Sequence, residues 1–117
     1  MKSTILKSIR NFVYTTFSSI SDQIIIDNLN SSITGIKVIE LISTLETTEE
    51  QIFYKDFVDI NVYTKNLNDK DDIIDFIMNT FENRYIIPLT FIENIKITES
   101  TNENYFVTNI RLKIGGR

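Results

Sequence analysis

Asp69, Asp71, Asp72 and Asp75 form the densest carboxylate group in the chain, and clustered carboxylate oxygens are the ligands that calcium and magnesium prefer. Their spacing misses the known calcium loop. Laid from Asn66, that loop would place Lys70 at its fifth position, Asp71 where Gly is required and Ile77 where a bidentate Glu belongs. Acids at the start of a helix, stabilised by its positive amino end, explain the group instead. A second pair, Asp56 and Asp59, has the residue types for carboxylate-only hydrolysis. An odd separation along a strand sends the two to opposite faces, away from a shared substrate, and plain outward polar residues are the expected reading. Aromatic side chains suggest a third chemistry. Phe53, Tyr54, Phe57 and Tyr63 share one stretch and Tyr105 and Phe106 another, and such rings can stack on bases. Base-stacking platforms interleave Arg or Lys, whereas Asp56 and Asp59 interrupt this one, so packing within the fold or against a neighbour is expected.

The residue types present narrow the chemistry further. The 117-residue chain has no Cys and no His, which removes disulfides, thiol nucleophiles, thiolate metal sites and the commonest general base. Gly35, Gly115 and Gly116 are its only glycines, and none sits between a strand and a helix to cradle phosphate. No catalytic, cofactor-binding or metal-ligating residue is therefore assigned, no cofactor is expected, and the chain reads as a non-enzyme. At 42% hydrophobic and 24% charged residues it has the composition of a soluble globular domain. Its length suits one domain over residues 1–117. Ala is missing while Ile and Asn abound, a bias that an AT-rich genome produces, so Ile content alone is weak evidence for strands.

A net charge of −4 argues against a grip on nucleic acid, which wants a basic face. Residues 46 to 82 hold ten acids and three bases, while Lys2, Lys7, Arg10, Arg111, Lys113 and Arg117 make both ends basic. Lys7 and Arg10 break the only candidate signal peptide, and Ile24-Ile25-Ile26 is the longest purely aliphatic run, so export and membrane insertion are not expected.

Periodicity supplies the elements. Ile5, Leu6, Ile9, Phe12, Val13, Phe17 and Ile20 recur at steps of three and four, which predicts a helix from Ser3 to Ile20 capped by Ser3 or Thr4. Gln23 to Asn30 is open between a short strand and a helical turn. Ile36 to Leu45 suits a strand apolar on both faces, and Ile52 to Thr64 alternates as a half-buried strand, the two joined by acidic Glu46 to Glu50 as a hairpin. Asn68 or Asp69 caps a second helix whose stripe is Ile73, Ile74, Ile77, Met78 and Phe81, ending near Asn83. A closing hairpin has arms Phe91 to Thr98 and Asn104 to Ile114, and Gly115-Gly116-Arg117 is expected to be loose. The class is α+β: helix, hairpin, helix, hairpin, with a mainly antiparallel sheet and two packed helices. The expected core is Ile5, Ile9, Phe12, Val13, Phe17, Val58, Ile60, Val62, Ile73, Ile77, Phe81, Ile110 and Leu112.

This order of elements resembles phage tail terminator and head–tail joining proteins. The most similar stretch runs from Phe57-Val58-Asp59-Ile60-Asn61-Val62-Tyr63-Thr64 through an Asn/Asp loop into Asp71 to Phe81, where the family likewise has an alternating strand, a polar loop and a helix. The resemblance implies a small virion protein that forms a homo-oligomeric ring in the neck, between portal and tail proteins, with DNA passing through its channel unbound. It carries over no site residue. The competing reading is a protein-binding or regulatory module that uses a sheet edge. A metal-dependent carboxylate enzyme is the third. In a ring, neighbouring copies are expected to meet through a hairpin arm, either Ile36 to Thr64 around its acidic tip or Phe91 to Ile114.

Overall fold

A computed structural model describes residues 2–43 and 57–116 of the chain. The first helix, α1 (Lys2–Phe17), buries Ile9, Val13 and Phe17, with Ile5 and Phe12 at the margin of the same core. Ser3 and Thr4 do not cap it, because the helix reaches back to Lys2 and both residues already lie inside it, whereas a cap must stand outside the helical turn. Its other end tightens into a 3-10 turn, Ser18–Ile20, and the Ser21 hydroxyl donates to the Phe17 carbonyl at 2.9 Å.

Five strands follow: β1 (Gln23–Ile26), β2 (Lys37–Ile42), β3 (Phe57–Thr64), β4 (Thr90–Thr101) and β5 (Phe106–Gly116), with α2 (Leu67–Phe81) between β3 and β4. The α+β class, the mainly antiparallel sheet and the two helices are those expected from the sequence. The stretch left open there is β1, which pairs with β2 in parallel and makes the sheet order β1-β2-β3-β5-β4. A ten-residue crossover separates the parallel strands, shorter than the usual connection, and side chains of the preceding turn and strand hold it. Gln23 Oε1 accepts from the Thr34 and Gly35 amides at 2.8 and 2.9 Å, and Asp22 accepts from Ile36 and Lys37 at 3.1 Å. Gly35 is needed at this crossing: a Cβ there would stand 2.2 Å from Asp22 Oδ1.

β2 and β3 pair antiparallel from Lys37 opposite Thr64 to Ile42 opposite Asp59. The proposed arms beyond them, Thr44-Leu45 and Ile52 to Asp56, and the acidic connection Glu46 to Glu50 lie outside the described residues. The closing hairpin is shifted from the expected bounds: β4 runs on to Thr101, which pairs with Phe106, so β5 starts at Phe106 rather than Asn104, and Gly115 and Gly116 are not loose but pair with Phe91 and Thr90. An available partner strand outweighs the backbone entropy that Gly otherwise favours. Glu93 is the extra residue of a bulge, since Ile92 pairs with Ile114 and Asn94 with Lys113. That bulge returns Ile95 and Ile97 to the face already used by Ile92.

Along the strands, alternate residues form rows in register. Ile26, Leu41, Ile60, Ile110 and Ile97 make one apolar row across all five strands on the face covered by the helices. Both helices cover that face, locked together by Phe17 against Phe12, Phe76 and Phe81, with centroids 5.8 to 6.2 Å apart. Of the expected core, only Ile5 and Phe12 are partly rather than fully buried; Ile39, Leu41, Ile87 and Ile92 join it, while Ile25 and Val38 are buried on the other face of the sheet.

α2 begins two residues before the expected site. Asn66, extended at φ −141°, is its cap: Oδ1 accepts from the Asp69 amide at 2.8 Å, and Nδ2 donates to the Asp69 carboxylate at 2.9 Å. Asn68 and Asp69 are therefore inside the helix, and among the four acids Asp69 alone occupies the first turn. Replacing Asn66 by Ala should lower stability by about 1 kcal/mol, read as a lower urea midpoint at unchanged slope. An unchanged midpoint would show that the cap contributes nothing.

Candidate functional site

The helix-free face of the sheet carries a continuous polar seam, built from the residues that alternate with the core positions of β2, β3 and β5. Arg111 binds Asp59 with two bonds, Nε to Oδ1 at 2.8 Å and Nη2 to Oδ2 at 3.1 Å, and its guanidinium stacks 4.3 Å from the Phe57 ring centroid. Asn109 Nδ2 donates to Asn61 Oδ1 at 2.8 Å and to Asp59 Oδ1 at 3.3 Å. Asn61 in turn donates to Glu40 at 3.1 Å, and the Tyr63 hydroxyl donates to the same oxygen at 3.0 Å. Beyond it Tyr63 meets Tyr105 edge to face at 6.0 Å, Lys65 lies 5.2 Å over the Tyr105 ring, and the Tyr105 hydroxyl donates to the Gly35 carbonyl at 2.8 Å. Register makes this seam: Asp59 stands opposite Arg111, Asn61 opposite both Glu40 and Asn109, and Tyr63 opposite Val38.

Two groups of the seam hold their protons more tightly than usual. Burial, and then the charge and hydrogen bond of Glu40, push the Tyr63 phenol up to about 12. The hydrogen bond to Asp59 raises Arg111 above its already high value. Since Tyr63 binds its proton more tightly when folded, this group's stabilisation is complete below about pH 10 and is lost as pH rises towards 12. Ultraviolet titration should therefore show one phenol ionising about two units late, a phase that Tyr63→Phe abolishes. A wild-type curve lacking that late phase would remove Glu40 and burial as determinants.

A second cluster sits where α1 passes the end of β1. Arg10 Nε donates to Asp27 Oδ2 at 2.7 Å and to Ser43 Oγ at 3.2 Å, the Ser43 amide donates to Asp27 Oδ1 at 2.6 Å, and the Ser43 hydroxyl also donates to Asp27. Burial alone would raise the Asp27 carboxyl, but the Ser43 hydroxyl and amide and the Arg10 guanidinium together hold it below the usual value. The cluster fastens α1 to the β1–β2 edge, and Asp27 adopts φ 49° to reach it, a conformation Asp tolerates better than most residues.

The residues singled out in the sequence are not gathered into one site. Asp71, Asp72 and Asp75 are exposed on α2, and no group of three acids poised to hold a metal occurs among the described residues. Asp59 is not an outward polar residue: only 5% of it is exposed, because Arg111 and Asn109 cover its carboxylate. Asp56, Phe53 and Tyr54 lie outside the described residues. Phe57, Tyr63 and Tyr105 pack on the seam, and Phe106 lines a shallow groove with Leu67 and Lys70. A groove of about 380 Å³ between α1 and Pro88 is lined by Ser8, Asn11, Phe12, Thr15 and Thr16, and none of these titrates near neutral pH. Glu40, Asn61, Asn109 and Arg111 belong to no candidate site in the sequence; polar residues two apart on β3 and β5 are the signal for the last three, and Glu40 on β2 has none.

The sheet edges are the remaining surfaces. β4 is an edge strand of twelve residues, exposed from Glu93 to Thr101 except for the half-buried Ile95. β1 is the opposite edge, with Ile24 and Ile26 half-buried against the core. No family model matches the chain, and no curated protein matches it.

Proposed function

We propose that this chain is a structural virion protein that assembles into a homo-oligomeric ring in a phage neck, as head–tail connector or tail terminator, leaving a channel for DNA. The observation that carries the reading is the long exposed edge of β4, a row of backbone donors and acceptors that folded proteins normally keep short or cover. A neighbouring copy satisfies that row. The resemblance in element order to neck ring proteins points the same way. The seam on the helix-free face supports a scaffold rather than a catalyst, because its polar groups hold one another. The overall charge of −4 suits a channel that DNA crosses without sticking. No helix among the described residues is long and apolar enough to cross a membrane.

The open edge also fits a second reading, a module that takes an extended peptide from another protein beside β4. Light scattering after size exclusion, with negative-stain images, separates the two. The ring reading expects a closed oligomer with a central hole. A chain that stays monomeric across concentration and salt, and that protects β4 amides only when an extended peptide is added, would replace it with the module.

A further inference from the structure

Resting on the ring reading, we infer that the contact between copies is edge to edge: β1 of one copy pairs with β4 of the next, so that one sheet runs on from subunit to subunit. Strand polarity comes first. β1 runs with β2, β2 against β3, β3 against β5 and β5 against β4, so β1 and β4 point in opposite directions. Continuing the sheet through a neighbour therefore makes an antiparallel ladder, and the same step repeated is a head-to-tail contact that closes when its rotation permits.

The side chains on the two edges match. The apolar row of the helix-covered face ends at Ile97 on one edge, 42% exposed, and at Ile26 on the other. Ile24 and Ile26 share that face on β1, as do Ile95 and Ile97 on β4, so the junction sets Ile against Ile on the buried side. The helices match as well. α1 is tied to β1 through Arg10 and Asp27, and α2 reaches β4 through the 2.9 Å ion pair of Lys70 with Glu99. Pairing β1 with β4 therefore carries α1 of one copy towards α2 of the next. The α1 sequence holds three cations and no acid, whereas that of α2 holds four Asp and one Lys. Lys7, Asp71, Asp72 and Asp75 are exposed, so the junction brings a helix of net positive charge towards one of net negative charge.

The absence of native Cys makes the test direct. One chain carries Ile97→Cys, and two others carry Ile24→Cys or Ile26→Cys, which cover the two nearest registers. Oxidation of an equimolar mixture should give a covalent dimer of unlike copies, with none from Ile97→Cys alone. The Ile26→Cys/Ile97→Cys chain, or its Ile24→Cys counterpart, should give a ladder ending at the copy number of the ring. Ile97→Lys, at an exposed position that leaves the core intact, should shift the assembly to monomer mass while melting normally. A ring by light scattering that gives no unlike dimer, that links through Ile97→Cys alone, or that survives Ile97→Lys overturns the edge pairing and leaves the ring standing. A wild-type monomer under all conditions overturns the ring and the pairing with it.

Discussion

Replacing Phe17 by Ala is expected to destabilise the protein by about 3 to 5 kcal/mol, the range for deleting a fully buried aromatic ring. Phe17 is fully buried at the end of α1, where its ring meets Phe12, Phe76 and Phe81. Those contacts join the two helices and seat both on the sheet, so the cavity cannot collapse without moving a helix. A domain of this size is held by roughly 5 to 15 kcal/mol, and the loss should appear as a large fall in urea midpoint. Phe81→Ala should behave similarly. The double variant should cost less than the two losses added, because the rings are 5.8 Å apart and share one cavity. A change below about 1 kcal/mol for Phe17→Ala would mean that the helices are not locked in this way.

Ile60→Ala should cost about 2 to 5 kcal/mol, whereas Ile97→Ala in the isolated protomer should stay within about 0.5 kcal/mol. Both are isoleucines in strands and both lie in the same cross-sheet row, so propensity does not separate them. Burial does: Ile60 is 0% exposed at the centre of the sheet and Ile97 is 42% exposed at its edge. Equal losses in chemical denaturation would show that the row is not graded from centre to edge.

Much of the fold is legible because periodic burial leaves a periodic trace. Ile9, Val13 and Phe17 in α1 and Ile73, Ile77 and Phe81 in α2 recur at helical spacing, while Val58, Ile60 and Val62 alternate along β3; each is buried where that spacing puts it. Glu40 and Asp59 were harder to place. Nothing local distinguishes a carboxylate that faces water from one that faces Arg111 across a ladder, since that partner is 52 residues away. Asn66, Asn68 and Asp69 lie within four residues of one another near the helix start and offer equivalent hydrogen-bonding chemistry, so local sequence does not pick out the cap. Only the extended backbone at Asn66 selects it.

The sequence by itself determined the residue types available for chemistry, the α+β class and the apolar faces of both helices and of β3 and β5, because these follow from composition and from spacing within single segments. Tertiary structure decided that four residues of the Gln23 to Asn30 stretch become a parallel edge strand, since their shortness shows no period and their pairing to β2 supplies what propensity does not. It also decided which polar residues meet in the seam and which strands lie at the edges of the sheet. Those outcomes depend on strand order and register, which are set by the joint packing of all elements over one core and are written in no single segment.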